Sequence, residues 1–289
     1  MAKNRTGKKR IIIMVFFGLF CAVFLFSGYQ LISNMIKNKT AADAYQKLRT
    51  EIQSNQISAI PAAWADPAEE EETAKPLPEL PPEQLQPLVS MDFSSLQEIN
   101  PEIIGWISNV GTNIDYPIMQ TGNNSYYLKH LYNGEYNDSG SIFMDYRCSA
   151  DFSDKNTVLY GHHMRNSTMF GYLERYKDQE FFEDNPTITV FTPEGDYLIE
   201  LISGTVENGN REFVRLNLDN CKVFLAYVDE LRRRSTFTSD VEVQKDDQII
   251  SMCTCTYDWN NARYMVVGRL VRLYEAPQSA SNIEPNHLF

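Results

Sequence analysis

From Ile11 to Ile36 no side chain carries a charge, and the first part of that stretch, IIIMVFFGLFCAVFLF, is almost wholly apolar. A helix of about 20 such residues crosses the hydrocarbon core of a bilayer, so this segment predicts a membrane span. It is longer than the apolar core of a signal peptide, and no small-x-small cleavage site follows it. An uncleaved anchor is therefore expected. Ahead of it, MAKNRTGKKR holds five Lys or Arg and no acid. Basic flanks stay on the cytoplasmic side. The expected layout is a single-pass protein in the cell membrane, with a basic cytoplasmic tail over 1–10, a signal anchor over 11–36 and all that follows outside.

Beyond the span, TAADAYQKLRTEIQSNQ (40–56) is polar with helical spacing. Residues 57–88 then cluster prolines around a run of four glutamates at 69–72. Such a segment buries too little apolar surface to offset chain entropy, and proline keeps it extended. Residues 37–89 read as a stalk, 90–274 as the folded domain and 275–289 as a loose tail. The net charge of -12 argues against a nucleic-acid partner. The one basic run outside the N-terminus, Arg232–Arg234, reads as the end or solvated face of a helix.

Within 90–274 a short helix over FSSLQEI is stopped by Asn100-Pro101. Eight short β-type runs follow: GWISN, IDYPIM, SGSIFMDY, NTVLYGH, TITVFT, DYLIELISGTV, DQIISMCTC and ARYMVVGRLVRLY. Helical patterns near 168–176 and 223–233 interrupt them. This mainly β pattern with added helices predicts an antiparallel barrel or sandwich, and periodicity does not separate the two.

Candidate chemistry is scarce. There are four His, at 130, 162, 163 and 287, and four Cys beyond the span, Cys148, Cys221, Cys253 and Cys255. Four thiols in so large a domain do not form a disulfide framework. His162 sits where an apolar strand meets a loop. Cys253 and Cys255 end another strand, and TyrAspTrpAsnAsn separates them from Arg263 at the start of the last. Two antiparallel strands joined by that loop bring Cys255 and Arg263 together. A cation favours the thiolate, a guanidinium suits a developing oxyanion, and an imidazole moves protons near neutral pH. Together they suffice for acyl transfer through a thioester. Each residue also has a plain structural reading: a buried Cys, a loop His, a surface Arg. Zinc binding by Cys253, Cys255 and the His pair, or a Cys253–Cys255 disulfide, are further alternatives, although the usual zinc spacings are absent.

NPEIIGWISNVGTNIDYPIMQ, YYLKHLYNGEYNDSGSIFMDYR, NTVLYGHHM and CTCTYDWNNARYMVVGRL resemble, in that order, segments of the class B sortases over essentially the whole folded domain. The resemblance implies an eight-stranded sortase-type barrel behind the anchor and stalk. It implies Cys255 as nucleophile, as the Cys of a Thr-Cys pair; His162, following Tyr-Gly, as the proton carrier; and Arg263, opening the last strand, as the oxyanion partner. Thr254 would line the substrate groove or donate near the oxyanion. The implied activity is an extracytoplasmic cysteine transpeptidase acting on an Asn-Pro-x-Thr-x type sorting signal of secreted proteins. The acceptor would be an amine of peptidoglycan or of a pilin, and no metal or organic cofactor is needed. Three departures stand out. LISGTVENGNREFVRLN is more polar than the family's aromatic strand, the helix before the penultimate strand ends in ArgArgArgSer, and Cys253 adds a second thiol, expected to pack in the core on the same side as Cys255. Alternative readings are a secreted cysteine peptidase that releases its acyl group to water, and a non-catalytic stalked adhesion module.

Overall fold

The computed structural model describes residues 4–58 and 91–275. The expected stalk lies outside the described residues from residue 59 on, and the expected tail from residue 276 on. The chain falls into two compact units, 1–48 and 49–289. Helix α1 spans Asn4–Ser58, so the helix expected over 40–56 and the apolar stretch belong to one continuous element. Phe16, Phe17, Leu19 and Phe20 are consecutive or nearly so, yet all are exposed. A helix apolar on every side has no soluble face to present, which suits a lipid surround. Met14–Ile52, with a mean hydropathy of 2.0 over its most apolar window, is a candidate membrane span by length and composition.

In the second unit α2, Phe93–Ile99, begins because the Asp92 carboxylate accepts from the Ser94 and Ser95 backbone N–H groups. This is the ordinary N-cap bond. Eight strands follow: β1 (Ile103–Ser108), β2 (Asp115–Met119), β3 (Ile142–Met144), β4 (Asn156–Tyr160), β5 (Thr187–Thr192), β6 (Gly195–Asn208), β7 (Gln248–Cys255) and β8 (Ala262–Glu275). Each lies within or overlaps one of the eight apolar runs. They close into a barrel in the order β1-β2-β3-β4-β7-β8-β6-β5. Closure, with no sheet edge left open, decides for barrel over sandwich.

The antiparallel expectation needs correcting, because β2 pairs with β3, and β4 with β7, in parallel. Parallel neighbours need long crossovers. The β4–β7 crossover is the longest, and it carries a 3-10 helix over Phe170–Lys177, α3 (Gln179–Asp184), two strands and α4 (Cys221–Arg233). In α4 the residues Phe224, Tyr227, Val228 and Leu231 are buried at i, i+3, i+4 and i+7, one helical stripe against the sheet. Asn220 caps its start, and its last turn holds Arg232 and Arg233. The basic run is thus a helix end. Arg234 continues into ion pairs with Glu207 at 2.7 Å and Glu230 at 3.5 Å.

The polar region singled out as a departure continues β6 as far as Asn208. Ser203 and Thr205 are fully buried there, and their hydroxyls make no hydrogen bond among the described residues.

Candidate active site

The parallel β4–β7 ladder determines which residues meet. Its last rung pairs Tyr160 with Cys253, and the Gly161 N–H donates to the Cys253 carbonyl at 3.1 Å. His162 and Cys255 each lie two residues past that rung, so both leave the sheet at the same rim. Strand β8 runs back from this rim, and its Arg263 is the Cα partner of Cys255. Directly opposed residues on antiparallel strands share a face, with Cβ atoms about 5 Å apart. The structure therefore brings all three candidates to one end of the barrel. Each is half-buried, held by scaffold and open to solvent.

Each has its own support. The His162 Nε2 lies 2.7 Å from the Leu128 carbonyl oxygen. A carbonyl only accepts, so Nε2 carries a proton and Nδ1 is the ring nitrogen left free to exchange one with a reacting group. Gly161 is forced by space, since a Cβ there would lie 2.5 Å from Ile142 Cδ1 and 2.8 Å from the Phe170 ring. Across β8, Arg263 faces Glu207 of β6. That carboxylate is engaged by Arg234, and Arg263 forms no ion pair among the described residues. Its Nη1 donates to the Ala262 carbonyl at 3.0 Å. A Cβ on Gly209 would come within 3.1 Å of the Arg263 guanidinium carbon, so glycine leaves it room.

Thr254 and Cys253 behave differently. Alternation along β7 turns the Thr254 side chain to the face opposite Cys255. It is 2% exposed, and its hydroxyl has no partner among the described residues. Cys253 shares the Cys255 face but is also 2% exposed. Burial pushes its thiol up, the Glu207 and Asp145 carboxylates add to this, and Arg263 pulls the other way. A thiol so placed resists ionisation. Cys148, Cys221, Cys253 and Cys255 are all free, and no group of three or more His, Cys, Asp or Glu able to hold a metal occurs among the described residues.

Sequence reasoning missed the second layer. It passed over Leu128, whose contribution is a backbone oxygen and leaves no side-chain signal. It also passed over Glu207 and its pairing with the distant Arg234, and a polar cluster beside the rim. In that cluster Glu174 accepts from Lys177 at 2.7 Å, from the Thr256 hydroxyl at 2.7 Å and from His163 Nε2 at 2.6 Å. Lys177 also reaches Asp258 at 2.5 Å. The i,i+3 spacing of Glu174 and Lys177 was the one legible hint.

Comparison with known proteins gives a consistent result. The sortase domain family matches residues 109–271. The sortase B of Listeria monocytogenes serovar 1/2a is 34% identical over 182 residues, covering 62% of this chain and 74% of that protein. The structure of a Staphylococcus aureus sortase B–substrate complex superposes with a TM-score of 0.60 at 34% identity, over 63% of this chain and 85% of that one. A sortase B complexed with triglycine gives a TM-score of 0.66 at 29% identity, over 82% of this chain and 100% of that one. The family match over 109–271 and these relatives, on a barrel of the same eight strands, show that the chain belongs to the sortase family of cysteine transpeptidases, in class B.

Proposed function

We propose that this sortase works outside the membrane, with Cys255 as nucleophile, His162 as proton carrier and Arg263 as oxyanion partner. The carrying observation is the shared rim, reached from β4, β7 and β8 by the Tyr160–Cys253 and Cys255–Arg263 pairings. Cys255 gives its thiol proton to His162 Nδ1, and the thiolate attacks a backbone carbonyl of an Asn-Pro-x-Thr-x type signal, whose oxygen becomes an anion that the Arg263 guanidinium stabilises. As the C–N bond breaks, His162 gives a proton from Nδ1 to the leaving amine, and a thioester remains. An incoming amine then loses a proton to His162, attacks the thioester and expels the thiolate. Thr254 contributes through its main chain, since its hydroxyl lies on the other face of β7.

The acceptor is an amine of peptidoglycan or of a pilin. A glycine-type α-amine is favoured by the sortase B solved with triglycine. The layout remains a basic cytoplasmic tail over 1–10, an anchor over 11–36, a stalk over 37–89, a catalytic domain over 90–274 and a tail over 275–289. The five basic residues ahead of the span support this orientation.

The test uses full-length protein in detergent, Asn-Pro-x-Thr-x peptides and a panel of amines, with products resolved by mass spectrometry. Ligated product that rises with added amine supports the reading. Hydrolysed product alone, whatever the amine, supports a peptidase instead.

A further inference from the structure

His162, Cys255 and Arg263 are each followed in sequence by a residue drawn to one polar cluster. His163 donates to Glu174 at 2.6 Å. Thr256 contacts Glu174 at 2.7 Å, Asp258 at 2.6 Å and Lys177 at 3.0 Å. The Lys177 ammonium lies 5.4 Å from the Tyr264 ring centroid. Glu174 and Lys177 sit on the 3-10 helix Phe170–Lys177, which is fastened by the buried Phe170, Leu173 and Tyr176.

We propose that Glu174 and Lys177 form a clasp that positions the reacting rim, tying the His162 loop and the β7–β8 loop to one buried helix. The proposal rests on the catalytic reading above. Glu174 and Lys177 are positioning residues, since neither belongs to the reacting trio.

The geometry favours a clasp over a scattered set of surface pairs. One Glu174 oxygen accepts from both Lys177 and Thr256, and the other from His163, so a single carboxylate spans two loops. Beyond the edge-to-face contact of Tyr257 with His163, 5.0 Å between centroids, the loop between Cys255 and Arg263 has little apolar anchorage, because Tyr257 is 65% and Trp259 48% exposed. The His162 loop is equally dependent. It closes through the His163–Met169 bridge, and Ser167 and Met169 hold positive φ of 58° and 56°, a conformation that needs surrounding structure to persist. Burial works against ionisation of Glu174, but the bonds from Lys177, Thr256 and His163 outweigh it and keep the carboxyl below its ordinary value. The hub is therefore charged at neutral pH. Networks of this kind set side-chain positions to fractions of an ångström.

The test compares full-length wild type, Glu174→Gln, Lys177→Met, Lys177→Arg and Asp258→Asn. Steady-state kinetics, acyl-enzyme formation by mass spectrometry and circular dichroism are read on each. Glu174→Gln and Lys177→Met should lower kcat about 10- to 100-fold, the penalty of a misplaced reacting group, with KM within about threefold. Lys177→Arg should recover most of the loss, and Asp258→Asn, at the loop tip, should show a smaller drop with the fold intact. A kcat within about twofold of wild type in both Glu174→Gln and Lys177→Met overturns the clasp. So does a loss that merely tracks the unfolded fraction while Asp258→Asn stays fully active. Wild type that forms no acyl-enzyme sinks the catalytic reading itself, and the clasp with it.

Discussion

Tyr160 and Cys253 are Cα partners on the last rung of the parallel β4–β7 ladder. Each points the way to a reactive group two residues further on, an imidazole in one case and a thiol in the other. The barrel thus sets the distance between His162 and Cys255 by register, and the antiparallel β7–β8 pairing adds Arg263 from the third strand.

Arg263 is expected to be irreplaceable by lysine. A point charge lacks the planar fork that meets an oxyanion. Arg263→Ala and Arg263→Lys should each lower kcat by about 100-fold or more, the scale of a lost oxyanion donor. Steady-state assay checks this, and a fully active Arg263→Lys would contradict it.

Cys253 and Cys255 should separate cleanly under alkylation. The buried Cys253 thiol is pushed up, whereas Cys255 is half-buried at the rim. Iodoacetamide on the folded protein should label Cys255 well before Cys253, with the exposed Cys221 as an internal reference, as read by peptide mapping. Cys253→Ser should cost about 1–3 kcal/mol by burying an unpaired hydroxyl, while the folded fraction keeps its activity.

Gly161→Ala should damage stability and activity together. The added Cβ meets Ile142 and the Phe170 ring at 2.5 and 2.8 Å, and overpacking of this kind costs about 1–3 kcal/mol. Because Gly161 precedes His162, the strain moves the imidazole as well. Thermal melts and kcat should both fall, and Ile142→Val should restore part of the loss by freeing space.

Much of this arrangement was legible in the chain. The eight apolar runs became the eight strands, the FSSLQEI helix formed between Asp92 and Asn100, and the uncharged stretch became part of a long exposed helix. The parallel β4–β7 pairing was not legible, because β-type patterning marks a strand without naming its neighbour. For the same reason the closeness of His162 and Cys255 had to come from resemblance. Leu128 was hidden because its role belongs to a carbonyl oxygen, and the Glu174 cluster because its members come from three separate segments. Short 3-10 helices such as Tyr126–Leu128 leave too few residues for a period to show.

Stability should fall on acidification. Burial opposes ionisation of Asp145, yet bonds from Arg147, Tyr160 and Asn124 hold its carboxyl below the ordinary value of 3.8. Asp258 is lowered chiefly by Lys177. A carboxyl depressed in the folded state adds stability that is complete above its unfolded value and is lost as pH falls through the folded one. Thermal midpoints should therefore be insensitive to these groups near neutrality and drop below about pH 4. Asp145→Asn should lower the neutral midpoint and flatten that acid limb. A limb unchanged by the substitution would contradict the assignment.

Whether Cys255 carries the acyl group decides the mechanism. Full-length protein incubated with an Asn-Pro-x-Thr-x peptide and no amine, then analysed by intact mass and peptide mapping, tests it directly. One acyl adduct on Cys255 is expected, discharged to ligated product when an amine is added and missing from Cys255→Ala. An adduct on Cys253 or elsewhere, or turnover that survives in Cys255→Ala, contradicts that assignment.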